Sequence, residues 1–367
     1  MYDTTAHGER VKAARVKLFD LAARQASVQE ETERAIHDVL ATGVFVGGPW
    51  VAKAEALCAG WTGCRDAVGV NSGTDALMLA LQSLDIGTGD EVIVPALSFY
   101  ATASAVLMTG ATPIVVDVND DALMDPRAVL EALSSNTRAV VPVHLFGAPA
   151  PRLDVGDIPI VDDAAQAIGA NLTGRKGRIT TVSCYPTKPW GAAGDAGFVC
   201  SDDPEQIANV RRLANHGTTG PHQHTRIGQH IGRNSRLDAM QAAYLVAQSP
   251  TVMPRLQRRR DIAARYDVGL PAEVRPLRRG EGSALHHYVV RAPRRDAVAQ
   301  ALRDADIDSA VYYPRPLNEQ PALQHIQGPP TPNAKRLTDE LLALPSHAFL
   351  TDEDVDRVLD VLHNVVR

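Results

Sequence analysis

Apolar positions along this chain follow two patterns, one typical of buried strands and one typical of helices. Short runs rich in β-branched residues, each bounded by turn residues, predict strands at Glu91–Pro95, Pro113–Val118, Ala139–Val143, Ile158–Val161 and Gly197–Cys200. Apolar residues at helical spacing predict helices at Thr74–Ser83, Ala101–Thr109, Pro126–Leu133 and Pro204–Ala214. This alternation predicts an α/β fold with a mainly parallel sheet sandwiched by helices and with ligands at the carboxyl ends of the strands.

Helical patterns also lie on both sides of this segment. The apolar positions of Val28–Leu40 predict an amphipathic helix that ends at Gly43. A second helical pattern covers residues 237–266 and is interrupted near Pro250 and Pro254. This interrupted helix leads the chain away from the predicted sheet.

The remainder of the chain predicts a smaller α+β unit. Its predicted elements are a strand at His287–Arg291, helices near Arg294–Arg303 and Asn333–Leu342, and a last helix capped by Thr351. We therefore predict two domains, a large one over residues 1–250 and a small one over residues 251–367.

Composition and charge narrow the choice of partners. With 45% hydrophobic and 22% charged residues, the chain can bury a large core. Its formal net charge of -6 gives no general attraction to nucleic acid or to an anionic membrane. No segment approaches the roughly 20 apolar residues of a spanning helix, and residues 1–18 have no signal-peptide pattern. With no metal-ligand spacing among its cysteines, we expect a cytoplasmic protein.

Two polar segments near predicted strand ends carry candidate chemistry. Asn71–Leu77 (NSGTDAL) opens a helix, and the free N–H groups and small residues there would favour a phosphate, although they also suit a plain capped helix start. The second segment follows the strand predicted at Ile158–Val161. Its Asp163 could pair with a protonated heterocyclic nitrogen, or it could cap the next helix.

A lysine lies in the third segment, Ser183–Lys188 (SCYPTK), which several glycines follow. In a tight turn beside apolar strands, Lys188 would be partly desolvated, which would lower its pKa and make the neutral amine available as a nucleophile and base. An isolated lysine is more often simply solvated. A phosphate site, a carboxylate and a lysine, in that order along an α/β chain, are however the three contacts that pyridoxal phosphate needs.

These segments resemble the DegT/DnrJ/StrS family of sugar aminotransferases, which are fold type I enzymes of the aspartate aminotransferase kind. The resemblance covers nearly the whole chain, from Leu18–Leu21 through Phe45–Pro49 to Leu344–Pro345 and Leu350–Glu353. It implies that pyridoxal phosphate is the cofactor, with Lys188 as the Schiff-base lysine and Asp163 as the partner of the pyridine nitrogen. The other cofactor contacts that it implies are Gln166 at the ring hydroxyl, Phe99 stacked on the ring, and Gly73, Thr74 and Ser183 at the phosphate.

The resemblance also implies a homodimer. Within Gly232–Asp238 (GRNSRLD), Asn234 matches an asparagine that reaches across the dimer interface to the phosphate of the neighbouring subunit. A C2 dimer would close two shared sites at once. Asn234 could also cap a helix that starts near Arg236.

The activity implied is transfer of an amino group from an amino acid, glutamate by analogy, to a nucleotide-linked keto sugar, with the cofactor alternating between its pyridoxal and pyridoxamine forms. Lysine at position 188 favours transamination, because dehydratase relatives are expected to carry histidine there. The segments Tyr185–Lys188 and Gly194–Gly197 are similar to members that aminate C3 of a dTDP-linked 3-keto-6-deoxyhexose, as in antibiotic deoxysugar biosynthesis. C4-specific and C2-specific relatives stay open.

Substrate contacts are less well defined than cofactor contacts. Tyr185 and Tyr313 are candidate lining residues of the sugar pocket, or they simply pack. Asn318 is a further candidate and stands where the family commonly has histidine. The other departures from the family pattern are Ile168, Pro189 and Trp190. These departures concern the identity of the substrate and leave the cofactor unaffected.

Other functions are open from the residues alone. A non-enzymatic regulator would keep the fold, but no basic helix-turn-helix is visible. Transamination of a small α-keto acid or a cyclitol ketone would use the same lysine and aspartate. The cluster His222, His224 and His230 lacks cysteine or acidic partners, so we expect no metal there and predict a surface or substrate-facing loop.

Overall fold

A seven-stranded sheet forms the centre of the computed structural model, which describes residues 14–172, 178–326 and 328–366. Its strands are β1 (Asp66–Val70), β2 (Glu91–Pro95), β3 (Thr112–Val116), β4 (Thr137–Val140), β5 (Ile160–Asp163), β6 (Arg178–Ser183) and β7 (Gly197–Ser201). Their order across the sheet is β1-β7-β6-β5-β4-β2-β3. Strands β2 to β6 are parallel, and β7 is antiparallel to both of its neighbours. The predicted mainly parallel sheet is confirmed.

Helices cover the sheet and connect its strands. Those of the first part of the chain are α1 (Leu21–Ala26), α2 (Gln29–Thr42), α3 (Gly48–Thr62), α4 (Gly73–Ser83), α5 (Ala101–Thr109), α6 (Pro126–Ala132) and α7 (Pro204–Leu213). Gly43 ends α2 as predicted: its φ of 67° is left-handed, and its N–H donates to the Val39 carbonyl. Helix α4 is buried almost throughout, and Leu79 and Leu81 on it are completely buried in the main core.

Four short strands follow α7 and form two hairpins: β8 (Thr218–Gly220), β9 (Gln223–His224), β10 (Arg226–Ile227) and β11 (His230–Ile231). The chain then enters α8 (Ala239–Gln248) and α9 (Val252–Gly269), which a short turn containing Pro250 separates. The interruption predicted near Pro250 is therefore confirmed. Asp238 caps α8 by accepting a hydrogen bond from the Gln241 N–H, so the alternative of a cap at Asn234 is wrong.

A small antiparallel sheet and three helices complete the chain. They are β12 (Arg275–Pro276), β13 (Tyr288–Arg291), α10 (Arg295–Asp304), α11 (Pro332–Glu340), β14 (Leu341–Leu344) and α12 (Asp352–Val366). The helix predicted to extend to Leu342 ends at Glu340, because Leu341–Leu344 is buried on both faces and pairs with β13. Thr351 caps α12 through its hydroxyl, which accepts from the Asp354 N–H.

Two strands of the central sheet, β1 and β6, have no counterpart in the sequence prediction. Of the others, β2 matches its predicted bounds and the rest differ by at most three residues at either end. The predicted domain division at residue 250 falls in the three-residue turn between α8, which ends at Gln248, and α9, which begins at Val252, and it stays a prediction. Within the described ranges, no helix has the length and apolar character needed to cross a membrane.

Candidate active site

A cavity of about 560 Å³ lies at the carboxyl ends of the parallel strands. The cavity is lined by the end of β5, the N-terminus of α4, the turn after β6, and the segment before β13. The predicted cofactor and substrate residues that line it are Gly73, Thr74, Phe99, Asp163, Gln166, Ser183, Tyr185, Lys188 and Tyr313. The volume is typical of a site for a small organic ligand.

Asp163 is the last residue of β5, and its carboxylate is buried in this cavity. The Oδ2 atom accepts a hydrogen bond from the Thr102 hydroxyl at 2.9 Å, and Oδ1 accepts one from the Ala165 N–H at 3.1 Å. The described residues directly after Asp163 form turns and no helix begins there, so the alternative of a helix cap is wrong. Burial raises the pKa of Asp163, while the Ala165 and Thr102 hydrogen bonds and the Lys188 charge lower it.

Lys188 lies in a tight turn that begins at Tyr185, whose carbonyl accepts from the Lys188 N–H at 2.8 Å. Burial lowers the pKa of Lys188 to about 8, and the negative charge of Asp163 opposes this shift. About a tenth of the amine is therefore neutral at pH 7, far more than for a lysine with its ordinary pKa. The predicted desolvated lysine is present, and the alternative of a fully solvated side chain is not.

The N-terminus of α4 is both capped and open to the cavity. The Ser72 hydroxyl accepts from the Asp75 N–H at 3.1 Å, which is the capped helix start that the sequence allowed. Gly73 packs so closely on the end of β6 that a Cβ atom there would lie 2.5 Å from Ser183 Cβ. Gly73, Thr74 and Ser183 therefore form a concave group of small residues beside free helix N–H groups, which suits an anion.

Aromatic and amide side chains form the other walls. The Phe99 ring is more than half exposed in this single chain, and its centroid is 6.2 Å from that of Tyr313. Gln166 donates from Nε2 to the Tyr313 hydroxyl at 3.3 Å and accepts from the Phe146 N–H at 2.7 Å. Both Gln166 and Tyr313 are held in place by these contacts, whereas Tyr185 is largely exposed.

Two predicted site residues lie outside the cavity of their own chain. The Asn234 side chain accepts a hydrogen bond from Arg236 Nε at 3.1 Å. Asn318 accepts from the Thr331 hydroxyl at 3.1 Å and is not among the lining residues, so the structure gives no support to its expected substrate contact. The departures Ile168 and Trp190 are buried core residues, which explains their apolar character.

The histidine cluster is divided between environments. His222 and His224 are exposed on the hairpins, and His230 is buried. The residues described by the structure contain no group of three or more potential metal ligands. The surface-loop prediction therefore describes His222 and His224, but not His230.

Several cavity residues were not predicted from the sequence. Thr102 orients Asp163 through its hydrogen bond. Other lining residues that were not predicted include Phe19, Thr187, Asp195, His286, His287 and Tyr312. Burial lowers the pKa of both His286 and His287 well below the usual range, and the nearby positive charges lower it further, so both rings are neutral. A signal for this pair was present, because two adjacent polar residues precede a buried strand at β13.

The known proteins that are similar to this chain align with almost its whole length. The sequence model of the DegT/DnrJ/EryC1/StrS aminotransferase family matches residues 26–363. The chain is 38% identical over 365 residues to a UDP-N-acetyl-3-dehydro-alpha-D-glucosamine 3-aminotransferase of Acidithiobacillus ferrooxidans, with 96% of this chain and 98% of that protein covered. It is also 38% identical over 371 residues to a dTDP-3-amino-3,4,6-trideoxy-alpha-D-glucose transaminase of Streptomyces venezuelae, with 96% and 97% covered.

A solved structure gives the same result at the level of the fold. The crystal structure of S. venezuelae DesV in complex with a ketimine intermediate superposes with a TM-score of 0.89 at 35% sequence identity. The match covers 97% of this chain and 100% of the other. At this identity and coverage the likeness extends to the family as well as to the fold.

Proposed function

The chain belongs to the DegT/DnrJ/EryC1/StrS aminotransferase family, and we propose that it transfers an amino group from L-glutamate to C3 of a dTDP-linked 3-keto-6-deoxyhexose. Like the family, it is an aminotransferase that depends on pyridoxal phosphate. The observation that supports the proposal best is that Lys188 and Asp163 meet in one cavity with the open N-terminus of α4.

The residues of this cavity fit the cofactor. Small residues and helix N–H groups suit its phosphate, and adding a Cβ atom at Gly73 would remove that space. Asp163 suits a protonated ring nitrogen, because a facing cation would offset the burial that raises the pKa of this carboxyl. Phe99 would stack on the ring and Gln166 would contact its hydroxyl group.

When bound, pyridoxal phosphate supplies an aldehyde that takes up the amino group and a ring that accepts electron density from the reacting carbon. Lys188 Nζ would hold the cofactor through that aldehyde, and once the donor had displaced it, the free amine would act as the base that removes the proton from Cα of the donor. In the second half of the reaction the same amine delivers a proton to the former keto carbon of the sugar. A pKa of about 8 suits both roles, since a pKa near the working pH lets one amine both accept and donate the proton.

Asp163 would keep the ring nitrogen of the bound cofactor protonated, and the hydrogen bonds from Thr102 and Ala165 hold its carboxylate in one orientation in the cavity. In a cavity that excludes water, such an ion pair is worth several kcal/mol, on the order of 3–4 by analogy with single electrostatic contacts in other enzymes. Phe99 and Tyr313 exclude water from one side of the cavity.

The proposed sugar specificity is inferred from the names of the similar proteins, because the residues that line the cavity do not identify a sugar. Two relatives that are 38% identical carry names that place the amino group at C3, one on a UDP-linked and one on a dTDP-linked sugar. We propose C3 of a dTDP sugar, with Tyr185 and Tyr313 lining the sugar pocket. A C4-specific or C2-specific sugar aminotransferase and a cyclitol aminotransferase are the alternatives, and a non-enzymatic regulator is a more distant one.

We also propose a homodimer with shared sites in the cytoplasm. Asn234 lies outside the cavity of its own chain, and the exposed apolar residues Phe45 and Val46 lie on the segment paired with Asp238. A second copy of the chain would cover these residues and bring its own Asn234 to the phosphate of the first.

A substrate panel tests the proposal directly. The purified enzyme is converted with L-glutamate to its pyridoxamine phosphate form and then mixed with dTDP-linked and UDP-linked 3-keto and 4-keto hexoses, a cyclitol ketone and small α-keto acids. We expect the dTDP-linked 3-keto-6-deoxyhexose to react fastest, with nitrogen at C3 in the NMR spectrum of the product. Amination at C4, or faster turnover of the cyclitol ketone, would contradict the proposal.

A further inference from the structure

A second, much smaller cavity lies on the far side of the Lys188 turn and contains three arginines. Arg24 comes from α1, and Arg255 and Arg259 come from successive turns of α9. Arg24 and Arg259 are more than nine-tenths buried. The cavity shares Phe19, Thr187 and Lys188 with the active-site cavity.

The three guanidinium groups have no carboxylate partner. Among the described residues, no Asp or Glu oxygen lies within 4 Å of any of them. Their acceptors are neutral: Arg24 donates to the carbonyls of Lys188 and Gly191, Arg259 donates to those of Leu285 and His286, and Arg255 donates to the Thr251 carbonyl and Gln248 Oε1. Arg258 and Arg265 on the same helix instead form ion pairs with Asp352 and Asp356.

Asp20 also lines this cavity, but it has other partners. Its carboxylate accepts from the Ala23 N–H at 3.0 Å and pairs with Lys17 at 3.0 Å. It therefore serves as the cap of α1 and does not neutralise the arginines. Buried charges without a partner are costly, so the cluster favours a further anion.

Two buried arginine donors in the cavity lining, Arg24 Nε and Arg255 Nη1, have no acceptor. His347 Nε2 also has no acceptor within 3.5 Å, although the Lys17 backbone lies near enough to raise the pKa of this ring. The Nδ1 atom of His347 accepts from the Phe349 N–H at 3.2 Å, so the ring proton is on Nε2. Burial and the Arg259 charge lower the pKa of His347 to about 4, which leaves the ring neutral and Nε2 a donor. The unpartnered side-chain atoms of the cavity are therefore all donors.

We propose that this cavity binds one small anion, either a halide or a single carboxylate group. Its volume of about 30 Å³ accommodates a group of that size, since a single water needs roughly 10–15 Å³ by the same measure. Arg255 and Arg259 stay charged at neutral pH, because burial and mutual repulsion lower their pKa only to about 10. A neutral water would satisfy two donors but would leave the charge of the cluster unbalanced.

The anion would also stabilise the turn that carries Lys188. Arg24 donates to the Lys188 carbonyl, and Gln248 Nε2 donates to the neighbouring Gly191 carbonyl at 2.7 Å. Arg255 in turn donates to Gln248 Oε1 at 3.1 Å. An anion between Arg24 and Arg255 would hold both ends of this hydrogen-bonded chain.

Bromide tests the proposal on the holoenzyme. The melting temperature is measured against sodium bromide concentration, with sodium methanesulfonate, whose anion is larger than bromide and has no carboxylate group, holding the ionic strength constant. At a hundredfold excess of bromide over its Kd, we expect a rise of roughly 3 °C. Crystals soaked in bromide are expected to give an anomalous peak beside Arg24 and Arg255. Acetate that raises the melting temperature as bromide does would identify a carboxylate as the ligand, whereas a response to bromide alone would identify a halide.

Matched variants assign the effect to the cluster. Arg255→Gln is expected to lose the bromide response. Arg258 lies three residues further along α9 and pairs with Asp352, so Arg258→Gln is expected to keep the response. If Arg255→Gln fails to fold, Arg24→Gln takes its place. Three results would overturn the proposal. They are a refined water in the cavity, equal responses from both variants, and an anomalous peak without any change in melting temperature.

Discussion

Asp162 and Asp163 are adjacent carboxylates with different partners, because successive side chains of a strand point to opposite faces. The Asp162 side chain lies 2.9 Å from His144 Nε2 in the core, whereas Asp163 reaches the active-site cavity. From the sequence, Asp163 was singled out as the candidate. The strand direction explains why only Asp163 can balance a charge beside Lys188.

Replacing Asp163 tests its electrostatic effect on Lys188. The negative charge of Asp163 raises the pKa of Lys188 against the larger effect of burial, and the two together leave it at about 8. In Asp163→Asn the raising influence is lost, so the neutral amine will form at lower pH. We expect the rate at which the apoenzyme binds pyridoxal phosphate covalently to reach its half-maximal value at a pH clearly below 8.

The measurement follows covalent capture by borohydride trapping and peptide mass mapping from about pH 6 to about pH 9.5, a range that brackets the expected midpoints. Asp195→Asn is the matched control, since Asp195 also lines the cavity but does not influence the pKa of Lys188. Its midpoint is expected to stay near that of the unmodified enzyme. An unchanged midpoint in Asp163→Asn, or trapping at another lysine, would contradict the assignment.

Gly73 provides a second test, of the phosphate site. In Gly73→Ala the new Cβ atom would lie 2.5 Å from Ser183 Cβ, so the start of α4 must move. We expect the affinity for pyridoxal phosphate to fall by at least about tenfold, which is on the order of 1–3 kcal/mol for such overpacking. Equilibrium dialysis of the apoenzyme against the cofactor measures this change.

Gly60→Ala is the control for the glycine substitution. Gly60 lies in α3, and a Cβ atom there would meet nothing within 4 Å. Its helix should gain about 0.5–1 kcal/mol of stability, with no change in cofactor affinity. Equal losses of affinity in the two variants would argue against a phosphate site at Gly73.

At the scale of elements, the turn that carries Lys188 is joined to α8 by Trp190. This side chain is completely buried and donates from Nε1 to the Leu245 carbonyl at 2.9 Å. Leu245 lies in the last turn of α8, where backbone carbonyls lack partners within the helix. The Trp190 ring also stacks on Phe198 of β7.

We therefore expect Trp190→Phe to lower the free energy of unfolding by roughly 1–3 kcal/mol, because the Leu245 carbonyl is left buried without a donor. Urea unfolding monitored by circular dichroism measures the change. Trp50→Phe is the matched substitution, as Trp50 donates to Asp38 at an exposed site and should lose less than about 1 kcal/mol. Similar losses for the two variants would show that Trp190 does not have this role.

The elements also show where sequence reasoning succeeded and failed. Strands β2 and β7 are uninterrupted apolar runs, so periodicity was enough to find them. Strand β6 was missed because Thr180 and Thr181 look polar in sequence, yet both are buried, and the Thr181 hydroxyl donates to the Asp162 carbonyl. The hydrogen bond that makes this burial possible is made with the neighbouring strand β5. A local sequence pattern does not show which strand will lie beside β6.

The site residues also divide into those with a local sequence signal and those positioned by packing between elements. Lys188, Asp163 and the α4 N-terminus were predictable because the three segments occur together in the order that the cofactor needs, although each segment alone also had a simpler interpretation. Thr102 and His286 were not, because their positions in the cavity follow from the packing of α5 and of the segment before β13. The helix predicted up to Leu342 failed for a related reason, since only pairing with β13 makes Leu341–Leu344 a strand.

At the scale of the whole molecule, the position of Asn234 raises the question of shared sites. Within one chain its side chain contacts Arg236 and does not line the cavity. If Asn234 binds the cofactor phosphate, it must therefore do so in the other subunit. The exposed side chains of Phe45 and Val46, about half accessible in the single chain, provide an apolar surface for that contact.

Mixing two inactive variants distinguishes shared from separate sites. A heterodimer of Lys188→Ala and Asn234→Ala chains would contain one site with both lesions and one site with neither, because each site takes its lysine and its asparagine from different chains. Random exchange makes about half of all dimers mixed, so about a quarter of the sites would be intact. We expect aminotransferase activity to recover to about a quarter of that of the unmodified enzyme, after correction for the residual activity of each parent. If subunit exchange is shown by mass spectrometry of the intact dimers and no activity returns, each chain must use its own Asn234 or none, and the proposed arrangement of the dimer is wrong.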